Sequence, residues 1–139
     1  MIILDTNVIS EPLRALAEPR VIAWLNEQET YDLWLTAITA AELQAGVDKL
    51  PLGARRNNLQ AQISAIIEDE FPDRILPFDL DAAMFYGEIV GLKLALKQKV
   101  ETLDCQIAAI ARANDAKLAT RNIKHFLDCG IDLIDPWAT

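Results

Sequence analysis

The chain is poor in histidine, glycine and cysteine, and each shortage excludes a class of chemistry. With one histidine, His125, among 139 residues, a serine or cysteine nucleophile activated by histidine is not credible. The five glycines form neither a GxGxxG nor a Walker pattern, so no phosphate-binding loop is expected. The two cysteines, Cys105 and Cys129, follow no metal-ligand spacing and suggest no disulfide framework. We therefore expect both to be reduced thiols.

Long apolar runs and basic residues are scarce as well. No stretch approaches the roughly 18 apolar residues that a membrane span needs. The apolar start of the chain stops at Asp5 and lacks a basic beginning, so no signal peptide is expected. The reduced cysteines predict that the protein is cytoplasmic. The net charge of −8 argues against a generic nucleic-acid coat protein, which usually has a basic surface. It still allows an enzyme that binds nucleic acid through a local basic patch and metal ions.

Apolar residues are plentiful, at 52% of the chain, which is enough for the full core of a single domain spanning residues 1–139. Strand and helix patterns alternate, and this predicts an α/β layer structure with a mostly parallel sheet. Pro77 limits its strand to an end or an edge of that sheet. The expected strands are 2–5, 33–37, 74–78, 117–120 and 131–134. The expected helices are 6–13, one starting at Pro19, 40–50, one through 59–67, 80–94 and 102–114.

Four polar side chains stand where strands end or helices begin. Asp5 ends the first strand, and Glu42 lies in the first turn of the helix after the second strand. Asp104 lies in the first turn of the helix that feeds the fourth strand, and Asn122 follows that strand. Ligands of open parallel sheets bind outside the carboxyl ends of the strands, where the connecting helices also begin. We therefore expect all four side chains on one rim.

Three carboxylates on one rim repel one another and raise one another's pKa. A hard divalent cation such as Mg²⁺ or Mn²⁺ removes that penalty, because it prefers oxygen ligands. Such a cation can orient water and neutralise charge on a phosphate during an in-line displacement. The rim therefore favours a metal-dependent phosphodiesterase.

Each acid also has a purely structural explanation. Thr39 to Glu42 fits a capping box, in which Glu42 reaches back to the Thr39 backbone. Thr102 is a candidate helix cap, with Asp104 favoured there by the helix dipole. Asp5 fits an N-cap in a turn. Taken singly, each acid is adequately explained in this way, and only the joint arrangement favours a metal site.

Four sequence blocks carry a resemblance that extends over essentially the whole chain. The blocks are MIILDTNVISEPLR at the start, LTAITAAELQAGV around Glu42, TLDCQIAAIARAN around Asp104, and LATRNIKHF at Asn122. In this order they resemble the PIN-domain family, specifically its VapC/FitB-like branch of toxin ribonucleases. The closing IDLIDPW also resembles the end of that branch.

The resemblance implies a three-layer α/β/α sandwich around a parallel sheet of about five strands, and Mg²⁺- or Mn²⁺-dependent endoribonuclease activity. By position, Asp5, Glu42 and Asp104 match the family's three acids and are the expected metal ligands. Asn122 matches a fourth catalytic position that is Asp in some members and Asn in others. Members are usually toxins of type II toxin–antitoxin pairs. They commonly form homodimers, and a small DNA-binding antitoxin blocks their active site.

Further residues are expected to support this site. Polar family positions that orient water or support ligands are matched by Thr6, Asn7 and Thr120. Basic residues close in sequence to the site are expected to contact RNA phosphates, and these are Arg14 and Arg121. The chain departs from the pattern at His125, where many relatives have Asp. A second metal site is therefore expected to be weaker here, and His125 itself is most simply a partly exposed surface residue.

Two other functions stay open at this point. One is a non-catalytic PIN-like module that only binds a partner or RNA. The other is a phosphatase or DNA nuclease that uses the same acidic rim.

Overall fold

The computed structural model describes all 139 residues and contains a five-stranded sheet in which every neighbouring pair of strands is parallel. The spatial order is β3-β2-β1-β4-β5. This confirms the predicted parallel α/β sheet, and Pro77 directly follows the edge strand, as expected. The strands are β1 Ile2–Leu4, β2 Leu33–Thr36, β3 Ile75–Leu76, β4 Lys117–Ala119 and β5 Leu133–Ile134.

Seven α-helices flank the sheet, and three short turns of other helix types join them. The α-helices are α1 Thr6–Ser10, α2 Pro19–Glu27, α3 Ala37–Asp48, α4 Ala54–Ala65, α5 Leu80–Ala95, α6 Thr102–Ala113 and α7 Ile123–Phe126. The other turns are 3₁₀ helices at Glu11–Leu13 and Thr30–Asp32 and a π-helix at Ile66–Glu70. The α7 helix was not expected, because four residues are too few to show a period.

Two predicted helix boundaries are wrong for identifiable reasons. The helix expected over 6–13 stops being α-helical after Ser10, because Pro12 has no amide hydrogen to donate and the chain tightens into a 3₁₀ turn. The α3 helix begins three residues before the expected Ala40, because the Thr36 side chain accepts a hydrogen bond from the Thr39 amide at 3.1 Å. Glu42 therefore lies in the second turn, and the predicted Thr39–Glu42 capping box is wrong.

The hydrophobic core forms two clusters, one on each side of the sheet. Successive strand side chains point to opposite faces, so Ile3 joins one cluster and Leu4 joins the other. The first cluster includes the buried middle of α6, residues 107–111, as its nearly all-apolar sequence predicted. The second contains Val47 of α3 and Ile63 of α4. Burying each such side chain stabilises the fold by about 1.5–3 kcal/mol. Helices on both faces complete the predicted three layers.

Both cysteines are buried free thiols, as expected. Burial raises the pKa of Cys105 and of Cys129, which keeps them in the unreactive thiol form. None of the helices combines the length and the apolar content that crossing a bilayer requires.

Candidate active site

The four rim residues lie around one open cavity of about 260 Å³ at the carboxyl edge of the sheet. The end of β1, the body of α3, the first turn of α6 and the turn after β4 each contribute to it. No hydrophobic side chain and no cation lines it. The lining residues are Asp5, Thr6, Asn7, Ser10, Glu42, Asp104 and Asn122. We refer to Asp5, Glu42, Asp104 and Asn122 as the acidic rim.

Asp5 is the most buried member of the acidic rim, at 3% exposure. Its Oδ1 accepts from the Thr6 amide at 2.8 Å, so it is an N-cap of α1, as its structural explanation required. Its Oδ2 accepts from the Thr120 hydroxyl at 2.7 Å and from the side-chain amide of Asn7, through Nδ2, at 3.3 Å. Burial raises the pKa of Asp5 from 3.8 to about 6, opposed by the hydrogen bonds and reinforced by the charges of Asp104 and Glu42. Asp5 is therefore both the N-cap of α1 and a member of the acidic rim.

Glu42 is held by a hydroxyl group from a different element. The Thr6 hydroxyl of α1 donates to Glu42 Oε1 at 2.8 Å, and the Thr6 and Thr39 hydroxyl oxygens are 3.1 Å apart. Thr39 therefore acts through Thr6 on the Glu42 carboxylate, whereas the sequence suggested the reverse contact, from Glu42 to the Thr39 backbone. The link from α1 to α3 fixes Glu42 beside Asp5.

Asp104 stands in the first turn of α6, as predicted, but Thr102 does not cap that helix. The N-cap residue is Glu101, and it makes no side-chain cap bond. Asp104 Oδ2 lies 2.7 Å from Nδ1 of His125, so the Nδ1–H donates to the carboxylate. His125 is 44% exposed, as a surface histidine should be, yet it bonds to the acidic rim. The turn of α7 brings it there, and neither spacing nor composition could show this.

Asn122 caps α7 only through its backbone, because its side chain makes no cap bond. The Asn122 amide donates to the Thr120 hydroxyl at 3.0 Å, and that hydroxyl in turn donates to Asp5. Thr120 thus connects the two sides of the rim while buried beneath it. The supporting positions Thr6, Asn7 and Thr120 are all brought to the site.

The two predicted RNA-binding arginines do not line the cavity. Arg14 forms an ion pair with the buried Glu11 at 2.7 Å. Arg121 donates from its backbone to Asn7 Oδ1 at 3.3 Å, but its guanidinium lies over the Trp137 ring, 5.1 Å from the centroid. Both side chains are occupied by other partners, so the structure gives no support to their predicted contact with phosphates at this cavity.

The donor chemistry of the acidic rim suits a hard divalent cation. Its lining offers carboxylate, hydroxyl and amide oxygens, and burial, together with the nearby carboxylates of Asp104 and Glu42, raises the pKa of Asp5. No group of three or more acids, histidines or cysteines is drawn together into a ready metal cage. Mg²⁺ usually keeps several waters and takes only one or two carboxylates directly, so an open rim is compatible with it.

Comparison with known proteins gives consistent matches over nearly the whole chain. The family described as "PIN domain" matches residues 2–128. The plasmid stability protein StbB of Pseudomonas syringae pv. tomato is 40% identical over 99% of both chains. The VapC ribonuclease Y4jK of Sinorhizobium fredii is 39% identical over 99% of this chain and 98% of its own. The toxin FitB of Neisseria gonorrhoeae is 39% identical over 99% of both.

Solved structures agree with the sequence matches. A chain in the structure of FitAB bound to an IR36 DNA fragment superposes with a TM-score of 0.93 and 39% identity, over 99% of this chain and 96% of that one. A chain of FitAcB from Neisseria gonorrhoeae gives a TM-score of 0.91 with 37% identity over the whole of both chains.

Proposed function

We propose, on the basis that the chain belongs to the PIN-domain family, that it is a metal-dependent endoribonuclease and the toxin of a toxin–antitoxin pair. The observation that carries the proposal is the acidic rim, in which Asp5, Glu42, Asp104 and Asn122 surround one all-polar cavity. The VapC ribonuclease relative supports the reaction, and the FitB toxin supports the biological role.

Asp5, Glu42 and Asp104 would hold Mg²⁺ or Mn²⁺, which when bound neutralises charge on the phosphate and makes water a better nucleophile. The chain's own hydroxyl groups position two of these acids, and the His125 ring positions Asp104. Thr120 orients Asp5 and Thr6 orients Glu42, each through a donated hydrogen bond. Asn122 adds an amide that can contact a phosphate oxygen without adding negative charge. The cavity is open, so an RNA strand can pass across it.

The partners follow from the same proposal. A small DNA-binding antitoxin would cover the acidic rim, and the FitAB complex on DNA supports such a pairing. The exposed apolar side chains Leu80, Met84 and Leu94 of α5 offer a surface for a second copy of the chain in a homodimer. The site of action would be the cytoplasm, where the RNA is. Co-expression with the product of an adjacent reading frame, followed by native mass measurement of the purified complex, tests both partners.

Cleavage of RNA by the purified protein tests the enzyme directly. Wild-type protein with Mn²⁺ or Mg²⁺ should cut single-stranded RNA, and EDTA should abolish the cutting. Asp5→Asn should lower the rate at least about 100-fold, since even the outer partners of metal ligands are worth up to that much. Asp69→Asn, an exposed acid outside the rim, is the matched control and should cut like wild type.

Equal cutting by wild type and Asp5→Asn would show that the acidic rim is not the active site. If no RNA is cut with any metal while RNA or the antitoxin is still bound, the non-catalytic binding module becomes the better description.

A further inference from the structure

Lys93 is a buried cation without an acidic partner. It lies on α5, is only 4% exposed and takes part in no ion pair. Its Nζ donates one hydrogen bond, to the His125 carbonyl at 3.1 Å. An ammonium has three N–H groups, so two of them have no acceptor in the chain. Buried lysines are almost always paired with an acid, so Lys93 is an unusual cation whose remaining N–H groups are free to bind an anion from outside the chain.

Lys93 is part of the wall of a second cavity, of about 320 Å³, which has no hydrophobic lining residue. Two further lysines line it, and its single carboxylate, Glu101, is already bound to Lys99 at 3.0 Å. Lys93 and Lys124 are left without an acidic partner in a chain whose net charge is −8. The cavity, here called the lysine cavity, is lined by Lys93, Gln98, Lys99, Glu101, Lys124 and His125.

Helix α6 begins beside the lysine cavity, because its N-cap residue, Glu101, is one of the lining residues. The Asp104 carboxylate in the first turn already complements the positive end of the helix dipole. The positive character of the lysine cavity therefore comes from its lysine side chains.

His125 links the lysine cavity, which it lines, to the acidic rim. Its ring donates to Asp104 of the rim, while its backbone carbonyl accepts from Lys93. One residue thus contacts both a site suited to a cation and a site suited to an anion. A nucleic-acid strand that crosses both sites can present one phosphate to each.

We propose that the lysine cavity binds a backbone phosphate of the RNA strand, next to the phosphate that is cleaved at the acidic rim. The inference rests on the proposed ribonuclease function and names how its substrate is held. RNA is a more suitable occupant than an acidic segment of a protein partner, because its phosphates recur along the strand. One phosphate can lie at the lysine cavity while its neighbour lies at the acidic rim.

Binding of RNA in EDTA tests the lysine cavity without any cleavage. The probe is a short single-stranded RNA with a 5′-hydroxyl and a fluorescent label, followed by anisotropy at several low salt concentrations. Lys124→Ala should weaken binding about tenfold, the range of one charge-assisted hydrogen bond. It should also flatten the slope of log affinity against log salt by about 0.7, the value for one phosphate contact on a single strand. Lys49→Ala, an exposed lysine at the end of α3, is the matched control and should leave both unchanged.

Lys93→Met tests the buried cation and should weaken binding at least as much as Lys124→Ala. Equal affinity and slope for wild type and Lys124→Ala would overturn the inference, and so would absence of RNA binding by the wild type at low salt. If binding depended on the lysines only when the RNA carried a 5′-phosphate, the occupant of the lysine cavity would be a terminal phosphate and not a backbone phosphate. A loss confined to antitoxin binding would assign the cavity to the partner protein instead.

The two proposals fail in different ways. Lysine-dependent binding in EDTA without cleavage in any metal would refute the ribonuclease and leave the phosphate site. Metal-dependent cleavage together with RNA binding that Lys124→Ala does not change would support the ribonuclease and refute the phosphate site.

Discussion

The acidic rim and the lysine cavity are linked through His125 and have opposite chemistry. In the rim, carboxylates face one another and are held by donated hydroxyl groups from Thr6 and Thr120. The lysine cavity is lined by three lysines and by one carboxylate that is already paired. Each region is electrostatically incomplete within the chain. On the proposed function, cation and phosphate are held in separate places, and the RNA strand completes both.

The largest expected effect comes from removing the buried carboxylate of the acidic rim. The pKa of Asp5 is raised from 3.8 to about 6, so the folded state binds a proton more tightly than the unfolded state does. The resulting stabilisation is fully present below about pH 4 and is lost as the pH rises through about 6. It amounts to about 3 kcal/mol as an upper bound. Urea unfolding of wild type and Asp5→Asn in EDTA, across this pH range, measures the difference.

Asp5→Asn carries no titratable group at this position, so the free energies of unfolding of the two proteins should diverge as the pH rises from 4 to 7. If the free energies of unfolding of the two proteins changed with pH in parallel, burial would not disfavour the ionised form of Asp5. Above pH 6, Mn²⁺ should restore part of the unfolding free energy that the wild type loses when Asp5 ionises. Such a recovery would show that Asp5 belongs to a cation site, because a buried acid outside such a site would not respond to the metal.

A smaller effect is expected from breaking the link between the two regions. His125→Phe removes the hydrogen bond to Asp104 but keeps the His125 carbonyl that Lys93 uses. Because such partners orient metal ligands, the affinity of the rim for Mn²⁺ should fall about tenfold, as measured by calorimetry. RNA binding in EDTA should stay near wild type. His125→Asn, which can still donate to Asp104, is the matched variant, and unchanged Mn²⁺ affinity in His125→Phe would contradict the orienting role.

The smallest effect on RNA is expected at an arginine that belongs to neither region. Arg14 pairs with Glu11, whose side chain is 2% exposed, at the 3₁₀ turn after α1. Arg14→Ala should lower the free energy of unfolding by about 1 kcal/mol, because Glu11 loses its partner while Arg14 itself is largely solvated. RNA affinity should not change, and Arg14→Lys should restore stability. A loss of RNA affinity would reinstate the contact predicted from the sequence.

Much of the site was predictable because it depends on chain direction. An acid at the end of a buried strand and another in the first turn of a connecting helix must share an edge in a parallel sheet, and this placed Asp5 and Asp104. Glu42 was placed on the right edge but in the wrong turn, because Thr36 competes with Thr39 for the cap of α3. The orientation of Arg14 and Arg121 was not predictable, since nearness in sequence says nothing of which partner a long side chain selects.

The sequence by itself determined the parallel sheet, the two-sided core and the common edge of the acids, because period, strand ends and helix starts are local properties. Only the tertiary structure decided that His125 bonds to Asp104 and that Lys93 is buried beneath its carbonyl. Lys93 and His125 lie on α5 and α7, and Asp104 lies on α6. Contacts among three helices depend on packing angles and rotamers, which no local pattern records. The opposite charges of the two neighbouring cavities follow from that packing.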